Sequence, residues 1–207
     1  MMIVKKLFCI VMGLLYGLSA GVAYALTDEY THQQELERSQ VSPADTAQIQ
    51  HVKKSGKYTE ISWEQLLPAS WDPDKIFDKF NFDQFEDGDP RAEKALKEFQ
   101  KLWNEAPANP EMKSKLVKIS GYVAPLDFLI GGELAEFLLV PYFGACIHVP
   151  PPPANQIIYV TLAKPRVGFQ VMDEVWVYGR LEIEKTGSNL ADSGYKMKAD
   201  AIEQYVE

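Results

Sequence analysis

Cysteine, histidine and clustered positive charge are all scarce in this chain. Its 207 residues include two cysteines, Cys9 and Cys146, and three histidines. The 21 lysines and arginines are outnumbered by 29 aspartates and glutamates, and they form no run along the sequence. Nucleic acids and anionic membrane surfaces require concentrated positive charge, so neither is an expected partner. The hydrophobic fraction of 46% is that of an ordinary globular protein.

The first residues have the composition of an export signal. Lys5 and Lys6 precede an uncharged apolar stretch over 7–18, and Ala23-Tyr24-Ala25 has the small-x-small pattern of a cleavage site. Residues 1–25 are therefore predicted to be a signal peptide, and the mature protein to be periplasmic. A retained anchor is the other interpretation, because 7–27 is uncharged and about long enough to span a bilayer. The membrane would then be contacted only through the uncleaved signal.

Removal of the signal would leave Cys146 as the only cysteine of the mature chain. No internal disulfide is then expected. A lone thiol in an oxidising compartment is unusual, and we expect it to be buried, bound to a ligand or reactive.

The mature chain divides by composition into a lead-in and one domain. Residues 26–57 are polar and predict a flexible lead-in, and residues 58–207 predict a single α+β domain. Its first part, 58–106, is helical in pattern. Ser62 and Gln65 fit a capping box, and Asp89-Pro90 begins an amphipathic helix that we expect to pack on a sheet.

The second part of the domain, 111–207, is strand-like. Alternating or short apolar runs predict strands near 116–123, 137–140, 156–162, 174–184 and 195–202. The first of these should end at Pro125, and Gly179 indicates a bulge or a tight bend. Several short strands without intervening helices predict a small antiparallel β-barrel of the oligonucleotide-binding (OB) type, preceded by a helical segment that packs on it.

The stretch from Cys146 to Gln156 carries the chemistry that the sequence offers. Cys146 and His148 are two positions apart, so an extended chain would point both side chains to one side, where they could ligate one metal ion. The same placement would let His148 act as a base toward a Cys146 nucleophile. A buried cysteine with a structural histidine is the third reading. The prolines that follow favour a stiff polyproline II rod.

Three motifs resemble those of the domain-of-unknown-function 3299 family of exported bacterial proteins. They are SWEQLLP with WDP, GYVAPLD, and GACIHVPPPPANQ, within a match over about residues 58–205. The resemblance implies an exported protein without an established activity. It also implies relatives encoded beside ABC-type exporter-like transporters, some in zinc-responsive gene clusters, which favours a role in metal handling.

The leading hypothesis is a non-enzymatic periplasmic accessory protein that binds a metal ion, zinc first, and works with an ABC-type transporter component. Its ligands would be Cys146, His148 and, as a third, Asp127. The first alternative is an OB-like module without metal that binds a partner protein or a small ligand through Pro150, Pro151, Pro152, Pro153, Asn155 and Gln156. The second alternative is a thiol enzyme that uses the Cys146–His148 pair. An enzyme is the less expected outcome.

Overall fold

A computed structural model describes residues 42–86, 89–129, 132–145 and 151–206. The predicted signal peptide and the start of the lead-in lie outside these residues. Three predicted site residues, Cys146, His148 and Pro150, lie outside them as well.

Among the described residues, three α-helices precede the barrel, and each begins with a proline after a capping residue. They are α1 (Pro43–Ser55), α2 (Pro73–Phe80) and α3 (Pro90–Asn104). The caps are Ser42, Asp72 and Asp89, whose side-chain oxygens accept hydrogen bonds from backbone N–H groups of the first turn. Proline suits this position because its missing N–H has no intrahelical acceptor there. Within the described part of the chain, no helix has both the length and the apolar character needed to cross a bilayer.

Six strands follow the order β1-β2-β3-β4-β6-β5, and β5 returns to pair with β2. Their bounds are β1 (Thr59–Glu60), β2 (Lys115–Leu129), β3 (Glu133–Val140), β4 (Ile158–Arg166), β5 (Glu174–Gly187) and β6 (Asp192–Gln204). Strands β2 to β6 thus close a five-stranded barrel, and β1 extends the sheet beside β2. The predicted α+β class with a small barrel is confirmed. The barrel has five strands, the number in the predicted OB type.

The barrel is mixed rather than wholly antiparallel. The pair β4–β6 is parallel, whereas β2–β3, β3–β4, β2–β5 and β5–β6 are antiparallel. The reason is topological. After β4 the chain crosses to the far side of the sheet, where β5 pairs antiparallel with β2. Strand β6 then pairs antiparallel with β5 and closes the barrel beside β4. It therefore runs in the same direction as β4.

The barrel interior is filled by alternate residues of every strand. Those with no exposed surface include Val117, Ile119, Phe137, Leu139, Val160, Val177, Leu181 and Met197. The helical part of the domain also contributes to this core. Leu66, at the end of the 3₁₀ turn Trp63–Leu66, is fully buried in it. The predicted capping box is present in that turn, where the Ser62 N–H donates to Gln65 Oε1 at 2.9 Å.

Gly179 lies at a bulge, as predicted. The register of β5 against β6 shifts between Tyr178 and Gly179. A Cβ atom at Gly179 would lie 2.6 Å from the carbonyl oxygen of Lys198, which only glycine avoids.

Strand β2 does not end at Pro125, in contrast to the sequence prediction. It continues to Leu129, with irregular register against β3 on either side of Asp127. A bulge accommodates proline because a residue there need not donate to the ladder.

Helix α1 occupies residues that the sequence analysis assigned to the polar lead-in. Its one buried side chain, Val52, packs against Tyr178 and Ala201 of the barrel. Lys53 forms an ion pair with Glu203 at 2.7 Å, and Asp45 forms one with Arg166. The helix is therefore fixed to the barrel largely by charged groups, which a hydrophobic pattern does not reveal.

The apolar stripe of α3 contacts α2, whereas we expected it to pack on a sheet. The Phe99 ring centroid lies 4.9 Å from that of Phe77 and 5.7 Å from that of Phe80. Trp103 lies against the same cluster, with ring contacts to Phe77, Phe99 and Trp71. The two helices thus form an aromatic unit, and Trp103 links this unit to the barrel connection described next.

Candidate functional site

The connection between β3 and β4, residues 141–157, begins with a turn that is fixed by contacts of Gly144 and Ala145 with the protein interior. Ala145 has no exposed surface, and its N–H donates to the Tyr142 carbonyl at 3.3 Å. Gly144 has φ of 83°, and its N–H contacts the Met172 sulfur at 3.2 Å. The positive φ, which glycine adopts without strain, reverses the chain so that Ala145 points into the protein.

Two aromatic residues are exposed on this turn. Phe143 is 69% exposed and Tyr142 is 45% exposed. The ring of Phe143 meets Tyr122 edge-on at 6.0 Å, and the Tyr122 hydroxyl donates to Glu174 Oε2 at 3.3 Å. Burial, and then the Glu174 charge, raise the pKa of Tyr122. Tyr142 and Phe143 were not among the site residues predicted from the sequence, although a Tyr-Phe pair before a glycine at a strand end was a usable sign.

The far end of the connection is held by the helical part of the domain. The Trp103 indole N–H donates to the Pro151 carbonyl oxygen at 2.9 Å. Pro152 and Pro153 are buried, and Pro153 has φ −60° and ψ 152°, the polyproline II conformation that the proline run predicted.

Asn155 and Gln156 join the barrel to the helical part. Asn155 is fully buried, and its Nδ2 donates to the Pro107 carbonyl at 3.0 Å. Gln156 Nε2 donates to the Trp63 carbonyl at 2.9 Å.

These contacts bear on the predicted partner-binding residues. Pro152, Pro153 and Asn155 are buried, whereas Pro151 and Gln156 are half-buried. Partner binding through this segment stays a prediction.

An apolar cluster lies between the two ends of the connection, on the outer face of β2, β3 and β4. Its members, nearly or fully buried, are Ala124, Leu138, Val140, Ala145 and Ile157. They alternate along the strands with interior residues such as Val123 and Leu139. Ala145 thus packs into this apolar cluster, and Cys146 is the next residue in the sequence.

Asp127, the predicted third metal ligand, lies on β2, away from the described turn that ends at Ala145. It is exposed on β2 and pairs in register with Glu136, whose carboxylate accepts a hydrogen bond from Tyr159. Glu136 precedes Val140 by four residues, about 13 Å along a strand. The described residues therefore do not bring Asp127 to Ala145, and they contain no group of three His, Cys, Asp or Glu side chains suited to a metal ion.

The sequence profile of DUF3299, a family of proteins of unknown function, matches residues 63–204. The chain belongs to the DUF3299 family. A crystal structure of a DUF3299 family protein from Pseudomonas aeruginosa PAO1 is similar at 33% sequence identity, with a TM-score of 0.57 over 73% of this chain and 99% of that one. No curated protein matches the chain. The DUF3299 match includes the whole β3–β4 connection and α2 and α3, whereas α1 precedes it.

Proposed function

We propose that this DUF3299 protein is an exported, non-enzymatic accessory protein that binds a divalent metal ion, zinc first, at the β3–β4 connection. Cys146 and His148 would supply a thiolate sulfur and an imidazole nitrogen. The observation that supports the proposal is the fixation of the connection on both sides of these residues, at Ala145 and at Pro151.

Fixed ends favour binding because they reduce the entropy that ligands lose when they are ordered around an ion. The six residue steps from Ala145 to Pro151 span at most about 22 Å. Ala145 is buried, and the Pro151 carbonyl accepts a hydrogen bond from Trp103. Sulfur and imidazole nitrogen are the ligands that zinc takes in tetrahedral sites. Two protein ligands leave positions for water or for a group from a partner, which suits transfer of an ion better than permanent storage.

The partner that we propose is a component of an ABC-type transporter outside the cytoplasm. The exposed Tyr142 and Phe143 side chains, which precede Cys146 by four and three positions, would offer it an apolar contact. Aromatic residues are enriched in protein interfaces because they bury a large area with few rotatable bonds.

Native mass spectrometry of the purified protein with and without added zinc tests the metal site. We expect one zinc ion per chain, and a loss of affinity of about 100-fold or more in Cys146→Ser and His148→Ala, since each removes a ligand. Asp127→Asn is the matched control and should bind zinc as the unmodified protein does. Absence of stoichiometric zinc, or unchanged affinity in both ligand variants, would contradict the proposal.

Alkylation of Cys146 distinguishes a metal ligand from a catalytic thiol. We expect iodoacetamide to modify Cys146 more slowly in the presence of zinc, because a bound thiolate is a poorer nucleophile. A catalytic thiol would instead react, in metal-free protein, with an apparent pKa far below about 8.5. That result, with no protection by zinc, would favour a thiol enzyme.

A partner-binding module without metal is the second candidate, and the 69% exposure of Phe143 favours it. Under this reading, Phe143→Ser would weaken binding to the transporter component whether or not a chelator is present. Under the metal proposal, Cys146→Ser and the chelator would weaken binding as much as Phe143→Ser does. Cross-linking of each purified variant to the transporter component separates the two.

A further inference from the structure

A basic depression lies on the outside of the barrel and shares no residue with the β3–β4 connection. It has a volume of about 410 Å³ and is lined by Leu116, Thr161, Arg180, Glu182, Lys196, Lys198 and Asp200. We propose that it binds a phosphate group, carried by a small molecule or by a lipid headgroup, between Arg180 and Lys198.

The sheet register brings the two cations together. Lys198 on β6 pairs with Arg180 on β5, and Lys198 also pairs with Thr161 on β4. Arg180 and Lys198 are exposed, whereas their sequence neighbours Leu181 and Met197 are buried in the core. Like charges at directly opposite positions destabilise an antiparallel pair, and an anion bound between them would relieve that repulsion.

The donors of this pair are largely unused within the protein. Among the described residues, the one hydrogen bond of the Arg180 guanidinium runs from Nη1 to the Ser114 carbonyl at 2.7 Å, and Lys198 has no hydrogen-bond or ion-pair partner. A guanidinium has five N–H donors in a planar fork that matches two phosphate oxygens, and an ammonium has three. The Thr161 hydroxyl, in the same row, can add a further donor.

The carboxylates of the depression have other partners. Both oxygens of Glu182 accept from the Ser114 hydroxyl at 3.1 and 3.0 Å, and Asp200 Oδ2 accepts from the Tyr58 hydroxyl at 2.9 Å. The third cation, Lys196, is paired with Glu184 at 2.6 Å.

The surrounding charge favours an anion. An adjoining depression shares Leu116 and Arg180 and adds Lys57 and Lys115. The two together contain five cations and two carboxylates, on a chain whose net charge is −8. The chain thus concentrates positive charge at one place on an otherwise acidic protein, which would steer an anion to it. A depression of this size would hold a phosphate with a small attached group.

NMR titration of the purified protein with inorganic phosphate, with glycerol 3-phosphate and with vesicles of phosphatidylcholine with or without phosphatidic acid tests the site. We expect the backbone amides of Arg180 and Lys198 and the Arg180 side-chain N–H signals to shift with one of the phosphate probes. The R180Q/K198Q variant should bind that probe about tenfold or more weakly, because it loses charge-assisted hydrogen bonds. Both side chains are exposed, so the variant should fold.

The K94Q/K101Q variant, which removes two exposed lysines of α3, is the matched control. Retained binding in this control supports the site. Binding to glycerol 3-phosphate identifies a soluble ligand, and binding to phosphatidic acid vesicles alone identifies a lipid headgroup. Equal losses in the two variants would show a diffuse charge effect and overturn the proposal, as would an absence of shifts at about 10 mM of every probe, a weak-binding limit.

Discussion

The indole of Trp103 donates a hydrogen bond to the carbonyl oxygen of Pro151, although the two residues are 48 positions apart. This bond ties the last turn of α3 to the proline run before β4. Protein domains with aromatic grooves bind polyproline II segments of partner proteins in a similar way. An indole N–H of the groove donates a hydrogen bond to a proline carbonyl oxygen that has no other donor. In this protein the groove and the proline segment belong to one chain.

Replacement of Trp103 by phenylalanine should lower the free energy of unfolding by about 1–3 kcal/mol, because the Pro151 carbonyl loses its donor and the smaller ring leaves a gap. Urea denaturation measures the change. Trp71→Phe is the matched control, since Trp71 Nε1 is buried without a partner among the described residues. Its replacement removes an unsatisfied donor and should cost less than Trp103→Phe. Equal losses would show that ring volume, and not the hydrogen bond, sets the effect.

Tyr195→Phe should destabilise the protein by about 1–3 kcal/mol, since it removes a buried hydroxyl with two partners. That hydroxyl donates to the Leu66 carbonyl at 2.7 Å and accepts from the Asn109 N–H at 2.6 Å, and Tyr195 is fully buried. Thermal unfolding of the variant tests this. Tyr122→Phe, which removes a half-buried hydroxyl with a longer bond of 3.3 Å, should have a smaller effect.

Stability should fall steeply in alkaline solution. Burial raises the pKa of Tyr195 to about 12, and the hydrogen bond to Glu136 with partial burial raises that of Tyr159 to about 12. Below the unfolded value of about 10 both states keep the phenol proton, so the contribution of each tyrosine is fully present. Between pH 10 and 12 the unfolded chain loses the proton that the folded chain retains, and unfolding becomes more favourable.

Denaturant titrations at pH 9, 10 and 11 would measure this dependence. For the buried Tyr195 the expected loss approaches about 1.4 kcal/mol per pH unit in this window. Tyr195→Phe should therefore show a shallower decline than the unmodified protein. An unfolding free energy that is constant up to pH 11 would contradict the expectation.

Alanine should be tolerated at Gly187 and not at Gly179. At Gly179 an added Cβ would lie 2.6 Å from the Lys198 carbonyl and 2.8 Å from Met197 Cγ, both in a packed region. We expect Gly179→Ala to lower the free energy of unfolding by about 1–3 kcal/mol or to impair folding. At Gly187 the nearest atom is the Asp192 carboxylate oxygen at 3.2 Å, on a side chain that can move. Comparable losses at the two positions, measured by urea denaturation, would show that the close approach at Gly179 is unimportant.

Local patterns predicted the parts of the fold that local physics determines. Asp89 and Pro90 marked the start of α3. Alternating or short apolar runs located the five barrel strands, and the glycine within one of them indicated the bulge at Gly179. Helix α1 was missed because it buries only Val52 and depends on ion pairs such as Lys53–Glu203 with distant residues. The parallel pairing of β4 with β6 was missed because it follows from the path of the whole chain.

In the candidate site, too, local patterns predicted some residues, whereas others depend on contacts with distant parts of the chain. The scarcity of cysteine drew attention to Cys146 and His148. The burial of Asn155 and of the prolines depends on Pro107 and Trp103, about 50 positions away, and no local motif indicates such contacts. The basic depression could not be predicted from the sequence for a similar reason. Lys57, Lys115, Arg180 and Lys198 are dispersed along the sequence, and only the barrel register assembles them.

The position of β6 has a consequence for how the protein reaches its folded state. This strand, residues Asp192–Gln204, follows the other barrel strands in sequence and closes the barrel between β4 and β5. Until it is present, β4 and β5 each lack a neighbour, and the core residues that face β6 remain open to water. Such long-range pairing slows folding, since the chain entropy is lost before the contacts that repay it are made. The barrel should therefore close only after β6 has been synthesised and has paired with both of these strands.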